Sequence, residues 1–556
     1  MRLDRFKIGS DKNSPTHQFK NLKNVSIDFD QKHWVTVVIG WNGTGKSNVI
    51  EALATIFRDL IRRQRKPTFA FNLDYQIGAG EEKLYVNIDA DPDRKRETII
   101  VHVANQNDIK QVDLLAEEGS PSLGLRGTKV SLSAFLEPGA VFLPRYVFAY
   151  YSGESDRLYK VFRPYLEEYD KKLRGGDDPG PKRLFYAQPV HSQFVLLAFL
   201  MHQSSDVRDF LTNNLGIDPD EGIESVLFVL REPPWNSPEG DPRFWKARGV
   251  VASFLDRLFN VSIAPIQLNH SVPVSLWNDT TKQFKYLYIK NVDSLREVMG
   301  KQTPSEFFRD LESTHVSQLI EEVRIRVKLR NNDGTVTFRE LSEGEQQLLT
   351  VLGLLRFTSE SESLFLLDEP DTHLNPRWAV EYIQYLRQFA GQGANQDENS
   401  HILITTHNPI AIASLTKEQV QILHRNNDDK SIAAENPAVD PRGMGFASII
   451  TSDMFGLGSS LDKPTNDDLI ELYKLSIKSA LTSEERSELA RLRESLRPLD
   501  FNFANRDRFE QEYLRARFDI SGSEDFGSPI VTPENKKKAV EVLVQSLLQG
   551  LETPKK

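Results

Sequence analysis

The chain has 556 residues, a formal net charge of −10 at pH 7 and 27% charged residues of both signs. At roughly 100–200 residues per domain, this length allows two to four structural units. The sequence contains no cysteine, which excludes a disulfide framework, a cysteine-based zinc site and a thiol nucleophile. The acidic balance argues against nucleic-acid binding over the whole surface, so such a site would have to be a local patch.

We expect a cytoplasmic protein without a membrane segment. The opening residues, MRLDRFKIGSDK, lack the apolar core of a signal peptide. The most apolar stretch, residues 193–201, is far shorter than the roughly 20 residues that a membrane-spanning helix needs.

The first chemical motif lies between a predicted strand and a predicted helix. Residues 34–39 (WVTVVI) are apolar and β-branched, which predicts a buried strand, and from Lys46 onward apolar residues recur at helical spacing. Between them, GWNGTGKS at 40–47 matches the pattern GxxxxGK[ST] in full. Its glycines let backbone N–H groups wrap around phosphate oxygens, the lysine reaches the β- and γ-phosphates, and the serine ligates Mg²⁺. The predicted nucleotide-binding residues here are Gly40, Asn42, Gly43, Thr44, Gly45, Lys46, Ser47 and Asn48.

Further short strands follow, at 83–89, 98–103 and 144–151. Residues 364–369 (LFLLDE) then form an apolar strand that ends in two carboxylates. Asp368 would hold Mg²⁺ together with Ser47, and Glu369 would polarise the attacking water as a general base. A buried strand with an acidic end is common by itself, but beside a complete phosphate-binding motif the catalytic interpretation is favoured.

A third motif, LSEGEQ at 341–346, predicts the start of a helix. Ser342 and Glu345 form an S-x-x-E capping box. The serine hydroxyl, the Gly344 N–H and the helix dipole can then address a γ-phosphate. The alternative is that these residues only begin a helix and have no role at a nucleotide. The position of Ser342, 26 residues before Asp368 (368 − 342), favours the role at a γ-phosphate. A fourth element, the predicted strand 402–406 (ILITT), ends at His407.

In this order, the four motifs resemble the ABC ATPase superfamily, closest to the heads of SMC, RecF and OLD-family proteins. The resemblance implies an α/β P-loop ATPase head of two lobes, in which two subunits enclose two ATP molecules with Mg²⁺ head to tail. It implies that Ser342, Gly344 and Glu345 complete the partner's nucleotide site, and that His407 joins Lys46 and Glu369 as a catalytic residue that contacts the γ-phosphate.

The resemblance also places a D-loop, including Asp371 and His373, along the dimer interface. A glutamine-bearing Q-loop is expected near residues 150–152 (YYS), but no glutamine stands there, and Gln76 and Gln111 are poor substitutes. The acidic residues in LSEGEQ depart from the LSGGQ form of transporters, which disfavours a transporter ATPase.

The gap of 322 residues between Lys46 and Asp368 (368 − 46) predicts a long insertion between the lobes. We predict an N-terminal ATPase lobe at 1–160, a mainly helical insertion at 161–320, a C-terminal ATPase lobe at 321–460 and a helical C-terminal region at 461–556. A last helix at 532–548 is either a docking arm or packs on its own body.

A second resemblance is carried by residues 144–160, 183–200 and 443–456, which are similar to the PtuA family of anti-phage ATPases in Septu and retron-associated systems. It implies an HNH-type nuclease partner in trans and possibly a reverse transcriptase with nucleic acid. No D-x-D pattern follows His407, so we expect no Toprim domain and no nuclease activity of the chain's own.

Two alternatives stay open. One is a DNA repair or recombination ATPase of RecF or SMC type, and the other is a nucleotide-locked scaffold with little turnover. A basic cluster at 58–66, at the end of the first helix, could contact phosphate backbones, although a solvated helix face is the simpler interpretation.

Overall fold

A computed structural model describes residues 1–30, 32–105, 127–137, 139–201, 203–220, 222–273, 279–330, 335–358, 362–390, 400–426, 430–457, 459–476, 478, 481–496 and 499. The described residues form two compact units, one within 1–414 and 418–436, the other containing 415–417 and the described residues from 437 to 499. The fold is mixed α/β, as predicted, whereas the division into two lobes and four segments stays a prediction.

In chain order, the strands are β1 (Arg2–Ile8), β2 (Val25–Asp28), β3 (Val35–Gly40), β4 (Phe71–Ile77), β5 (Leu84–Ala90), β6 (Ile99–Asn105), β7 (Thr128–Val130), β8 (Tyr146–Tyr151), β9 (Leu184–Tyr186), β10 (Ile223–Arg231), β11 (Ile263–Pro273), β12 (Asp279–Ile289), β13 (Ile320–Lys328), β14 (Thr335–Thr337), β15 (Ser363–Asp368), β16 (Ser400–Thr405), β17 (Val420–Arg425) and β18 (Ile432–Glu435).

The α-helices are α1 (Lys46–Ile61), α2 (Leu132–Phe135), α3 (Arg157–Gly175), α4 (Val190–Met201), α5 (Ser205–Asp209), α6 (Gly249–Val261), α7 (Val292–Met299), α8 (Pro304–Val316), α9 (Glu343–Thr358), α10 (Pro376–Ala390), α11 (Pro409–Ile412), α12 (Phe446–Ile450), α13 (Lys463–Ser476) and α14 (Ser483–Leu496).

The sheet that positions the candidate site has the strand order β18-β17-β3-β16-β15-β8-β9. All neighbours in it are parallel except β17 and β18. Every residue of β15 and β16 is buried, as expected for parallel strands that are covered on both faces. The carboxyl ends of β3, β16, β15 and β8 therefore meet at one edge, which brings together segments more than 300 residues apart.

A second, antiparallel sheet of order β2-β1-β4-β5-β6-β7 belongs to the same unit. Helix α1 packs on strands of the central sheet and also reaches this one, where Phe57 contacts Tyr75 of β4 edge to face, with ring centroids 6.0 Å apart. Phe57 and Tyr75 are fully buried in one continuous core cluster with Phe6 of β1. This packing fixes the helix that begins at Lys46.

A third sheet, of order β11-β12-β10-β13-β14, was not predicted. Strands β10, β11 and β12 lie within residues 161–320, the segment predicted to be mainly helical, and β9 of that segment joins the central sheet. The segment thus mixes these strands with helices α3 to α8. The signal was weak because the alternation in β11, with Ile266 and Leu268 between polar residues, is short and belongs to a strand that is almost entirely exposed.

In the second unit, helices α13 and α14 pack through buried leucines. The predicted last helix at 532–548 and residue Gln111 lie outside the described residues. Within the part of the chain that the structure describes, no helix has both the length and the apolar character to cross a membrane.

Candidate functional site

The turn between β3 and α1 follows a backbone path that requires glycine. Gly40, Gly43 and Gly45 have φ values of +147°, +83° and +99°, in the region that L-residues with side chains rarely adopt. A Cβ atom on Gly40 would lie 2.3 Å from the carbonyl oxygen of Leu423, and one on Gly45 would lie 2.7 Å from the Leu22 side chain. The loop is therefore held against β17 on one side and the segment before β2 on the other.

Lys46 points its ammonium group back into this loop. Its Nζ donates to the carbonyl oxygens of Gly40 at 2.8 Å and Trp41 at 3.2 Å. Burial lowers the pKa of Lys46 to about 8, while Glu369 and Asp368 oppose that shift. A buried cation enclosed by backbone at a helix N-terminus is suited to bind anionic phosphate oxygens.

The two predicted metal ligands lie together. Asp368, buried at the end of β15, accepts a 2.9 Å hydrogen bond from the Ser47 hydroxyl on its Oδ1 atom, and the Thr405 hydroxyl donates to the same atom. Burial raises the pKa of Asp368, and the bonds from Thr405, Arg157 and Ser47 oppose that shift. A carboxylate and a hydroxyl are hard oxygen donors, which fit a Mg²⁺ ion carried with a nucleotide.

Glu369 and His407 form the second pair at this edge. Glu369 has φ +53°, a left-handed conformation, and its backbone N–H donates to the carbonyl oxygen of Thr405 at 2.9 Å. His407 Nε2 lies 3.2 Å from Glu369 Oε1, and both side chains are partly exposed. The hydrogen bond from His407 lowers the pKa of Glu369. The arrangement presents an ionised carboxylate toward the open side of the site, as a general base requires.

The predicted signature helix begins as expected. The Ser342 N–H donates to Glu345 Oε2 at 2.6 Å, and the Glu345 N–H donates to Ser342 Oγ at 3.3 Å, which together form the capping box. Gly344 packs so closely on the next loop that a Cβ there would lie 2.5 Å from the His373 carbonyl oxygen. Glu343 Oε2 also lies 3.1 Å from His373 Nδ1.

The motif at 341–346 and the loop at 370–374 therefore form one continuous surface within the subunit. In the contacts of the described residues, Ser342 and Glu345 bond to each other and Gly344 packs on this loop, and none of the three bonds to the glycine-rich loop at 40–47. Asp371 is buried and accepts a 2.8 Å hydrogen bond from the Thr406 hydroxyl, and burial raises its pKa. Asp371 thus ties the loop to the strand that ends at His407.

Several polar side chains in and beside the glycine-rich loop at 40–47 form hydrogen bonds that stabilise the loop. The Thr44 hydroxyl donates to the Trp41 carbonyl at 2.8 Å. Asn48 donates through its amide to Asn21 Oδ1 at 2.6 Å, and Asn21 donates to the Gly43 carbonyl at 2.9 Å. Asn42 lies exposed at the tip.

Four residues that sequence reasoning missed also shape the site: Asn21, Arg157, Thr405 and Arg425. Arg425 Nη2 donates to the Gly43 carbonyl at 3.3 Å, and Arg157 Nη2 donates to Asp368 Oδ2 at 2.7 Å. A glutamine was expected near Ser152, and Arg157 lies five residues further on. If every side chain after β8 that can bind phosphate had been considered, Arg157 would have been identified from the sequence. The other three give no local signal.

The remaining glutamine candidate and part of the basic cluster have structural partners. Gln76 Nε2 donates to Asp4 Oδ1 at 2.7 Å, and both residues are buried. Arg58 pairs with the adjacent Asp59, and Arg62 pairs with Glu168 of α3. These pairs favour the solvated helix face over a free patch for nucleic acid.

Comparisons with known proteins give partial matches. A family model described as "AAA domain, putative AbiEii toxin, Type IV TA system" matches residues 260–413, an interval that contains Ser342, Asp368, Glu369 and His407. The "Septu protein PtuA" of Bacillus mycoides (strain KBAB4) is 26% identical over 129 residues, 23% of this chain and 17% of that protein. The "Retron Vc95 probable ATPase" of Vibrio cholerae serotype O1 biovar El Tor is 22% identical over 181 residues, 30% of this chain and 32% of that protein.

The aligned segments thus span about a sixth and about a third of these two relatives. A solved structure, "Crystal structure of the SmcHead bound to the C-winged helix domain of ScpA", aligns over 78% of this chain and 98% of that one, at 10% identity and a TM-score of 0.32. The predicted resemblance to Septu PtuA and to a retron ATPase is confirmed by the two sequence relatives.

Proposed function

We propose that this chain binds and hydrolyses ATP as the ATPase subunit of a prokaryotic anti-phage defence complex and thereby controls a nuclease supplied by another chain. The observation that carries the ATPase part is the 2.9 Å hydrogen bond between Ser47 and Asp368. This bond connects the glycine-rich loop at 40–47 to the acidic end of β15. A triphosphate with a bound metal ion would contact both of these segments, the loop through its phosphates and the carboxylate through the metal.

Each residue then has a defined task. The backbone of 40–45 and the Lys46 ammonium hold the phosphates, and Ser47 and Asp368 are positioned to hold Mg²⁺, which would neutralise charge on the phosphates. Glu369 accepts the proton of the attacking water. His407, which donates to Glu369, keeps that carboxylate ionised and oriented.

In this proposal, a second subunit completes the nucleotide site. Ser342 and Gly344 offer a hydroxyl and a helix N-terminus, the groups that bind a terminal phosphate, yet within the subunit Ser342 bonds to Glu345 and Gly344 packs on the loop that contains His373. A head-to-tail homodimer would let each signature helix close the partner's nucleotide site. ATP binding would bring the heads together, and hydrolysis would separate them.

The names of the two sequence relatives support the defence role, since one is a Septu protein and the other a retron ATPase. We propose an HNH-type nuclease as the partner, with a reverse transcriptase and nucleic acid as further components of retron-type assemblies. The predicted absence of nuclease chemistry in this chain fits an effector in trans.

Glu369→Gln tests the ATPase. The amide cannot accept a proton, so we expect the turnover rate to fall by about 10²- to 10⁴-fold while ATP binding persists, and ATP-bound dimers should accumulate on size-exclusion chromatography with light scattering. Glu435→Gln is the matched control, because Glu435, at the end of β18, pairs with His424 of β17 and is largely exposed. If wild type and Glu369→Gln turn over equally slowly, the protein is a nucleotide-locked scaffold.

The defence role has its own test. The protein is tagged at its native locus and purified gently with ATP and Mg²⁺, and co-purifying proteins are identified by mass spectrometry. A stoichiometric nuclease supports the proposal. ATPase activity that is stimulated by DNA in a preparation free of other proteins would instead favour a repair-type ATPase.

A further inference from the structure

An ATPase head of the proposed kind would carry a glutamine near the end of strand β8, and here the segment that follows this strand carries Arg157 instead. Strands β8 and β15 run in parallel, and Tyr151 is the register partner of Asp368. Six residues after Tyr151, Arg157 begins helix α3. The strand register thus brings the Arg157 side chain to the same sheet edge as the carboxylate that is positioned to hold the metal.

Both oxygens of Asp368 are occupied in this arrangement. Oδ1 accepts from Ser47 and Thr405, and Oδ2 accepts from Arg157 Nη2 at 2.7 Å. The Asp368 side chain is 2% exposed and the Arg157 side chain 30% exposed, so the guanidinium lies on the solvent side of the carboxylate. It is the group that an arriving ion meets first.

The same guanidinium makes a second contact, with an aromatic ring. Its central carbon lies 4.7 Å from the centroid of the Tyr151 ring, a cation–π contact that does not depend on Asp368. Arg157 can therefore release the carboxylate and still keep one of its partners. A guanidinium also binds phosphate oxygens through two parallel hydrogen bonds.

A magnesium ion at Ser47 and Asp368 would bring two positive charges within a few ångströms of this guanidinium. Repulsion between such close cations is strong in a partly buried site. The repulsion therefore favours release of the guanidinium from Asp368 when the ion binds, and it favours Arg157 on the carboxylate when the ion is away.

We propose that Arg157 competes with the magnesium ion for Asp368, and that it turns onto the terminal phosphate of ATP when the metal–nucleotide complex binds. This inference rests on the proposed ATPase function and adds a gate to it. The exchange is complete only when a γ-phosphate is present to receive the guanidinium, so the gate distinguishes ATP from ADP.

The test compares nucleotide affinities rather than turnover. Affinities for ATP and for ADP are measured by calorimetry at saturating Mg²⁺ in wild type, Arg157→Ala and Arg157→Gln, and the Mg²⁺ dependence of ADP binding is titrated separately. Arg163→Ala is the control, because Arg163 lies on the same helix and pairs only with exposed Glu167. Arg157→Gln removes the positive charge but keeps a side chain that can donate a hydrogen bond to Asp368. Thermal melting shows whether each variant is folded.

We expect Arg157→Ala to lower the ratio of ATP affinity to ADP affinity by about 10- to 100-fold, the loss of a charge-assisted phosphate contact. The Mg²⁺ concentration that half-saturates ADP binding should fall in the same variant, because the competitor is gone. A purely structural arginine would weaken ATP and ADP equally.

An unchanged ATP-to-ADP ratio in a protein that binds ATP overturns this inference alone. A wild-type protein that binds no ATP overturns the proposed function and the inference together, so the two failures can be told apart.

Discussion

The hydroxyl of Ser47 donates a 2.9 Å hydrogen bond to Asp368, a residue 321 positions further along the chain. Thr405 donates to the same carboxylate oxygen from the neighbouring strand, and Arg157 holds the other oxygen. One buried carboxylate is thus fixed from three separate segments, so its orientation is set before any ligand arrives. The first prediction concerns Thr405, to which the proposed function assigns no contact with the nucleotide or the metal.

Thr405→Val removes one of these fixing bonds while nearly preserving the shape of the side chain. We expect the Mg²⁺ concentration for half-maximal ATPase activity to rise by about 10- to 100-fold, the usual effect of losing a partner behind a metal ligand. Thr405→Ser keeps the hydroxyl and should behave as wild type. An unchanged Mg²⁺ requirement in Thr405→Val would show that Asp368 does not depend on this bond.

His407→Ala should change the pH dependence of hydrolysis. The bond from His407 lowers the pKa of Glu369, and a general base must be deprotonated to act. Removing the donor raises that pKa, so the acidic limb of the profile of turnover against pH should move to higher pH. His424→Ala, at a histidine–glutamate pair away from the site, should leave the limb in place, and a limb unmoved in His407→Ala would count against the pairing.

Lys46 predicts a second pH effect, at the alkaline end. Its pKa is lowered to about 8, first by burial, and bound phosphate should raise that pKa by favouring the charged form. Binding above pH 8 must then take up a proton, so ATP affinity should fall as pH rises, by up to tenfold per unit.

Calorimetry in two buffers of different ionisation enthalpy measures that proton uptake, which should grow between pH 7 and pH 9. Lys46→Arg carries a charge that does not titrate in this range and should show no uptake at its residual affinity. An affinity independent of pH in wild type would contradict the assignment.

Gly344→Ala tests the surface formed by the signature helix and the loop at 370–374. The new Cβ would lie 2.5 Å from the His373 carbonyl oxygen, so the start of α9 must shift. We expect ATP-dependent dimers to be lost while one subunit still binds ATP, as measured by light scattering and calorimetry. Gly445→Ala meets no atom within 4 Å and serves as the control, and intact dimers in Gly344→Ala would place the subunit contact elsewhere.

The sequence predicts those parts of the structure whose signal is local. The run 34–39, the glycine pattern at 40–47 and the apolar residues 364–368 each carry strand, turn or helix information within a few residues, and β3, α1 and β15 lie where expected. The capping box of Ser342 and Glu345 also forms, because its two partners are only three residues apart.

The contacts that were missed depend on pairing between distant segments. Arg157 meets Asp368 across 211 positions, through a parallel register that no short window contains. The third sheet was missed for another reason, since β11 lies almost entirely in solvent and its alternation of apolar and polar residues, at 266–269, is too short to indicate a strand by itself. Tertiary pairing, rather than local preference, decided both.

The position of β3 has a consequence for how the protein is made. This strand lies between β16 and β17, so both of its hydrogen-bonding edges are completed by residues 400–425. At about 5–20 residues per second of translation, the 365 residues from Gly40 to Thr405 (405 − 40) take roughly 20–70 s to synthesise. For that time the phosphate-binding strand leaves the ribosome with two open edges, which are sites of mispairing between chains. A nascent chain that is stalled before residue 400 should therefore bind no nucleotide and should need a chaperone to stay in solution.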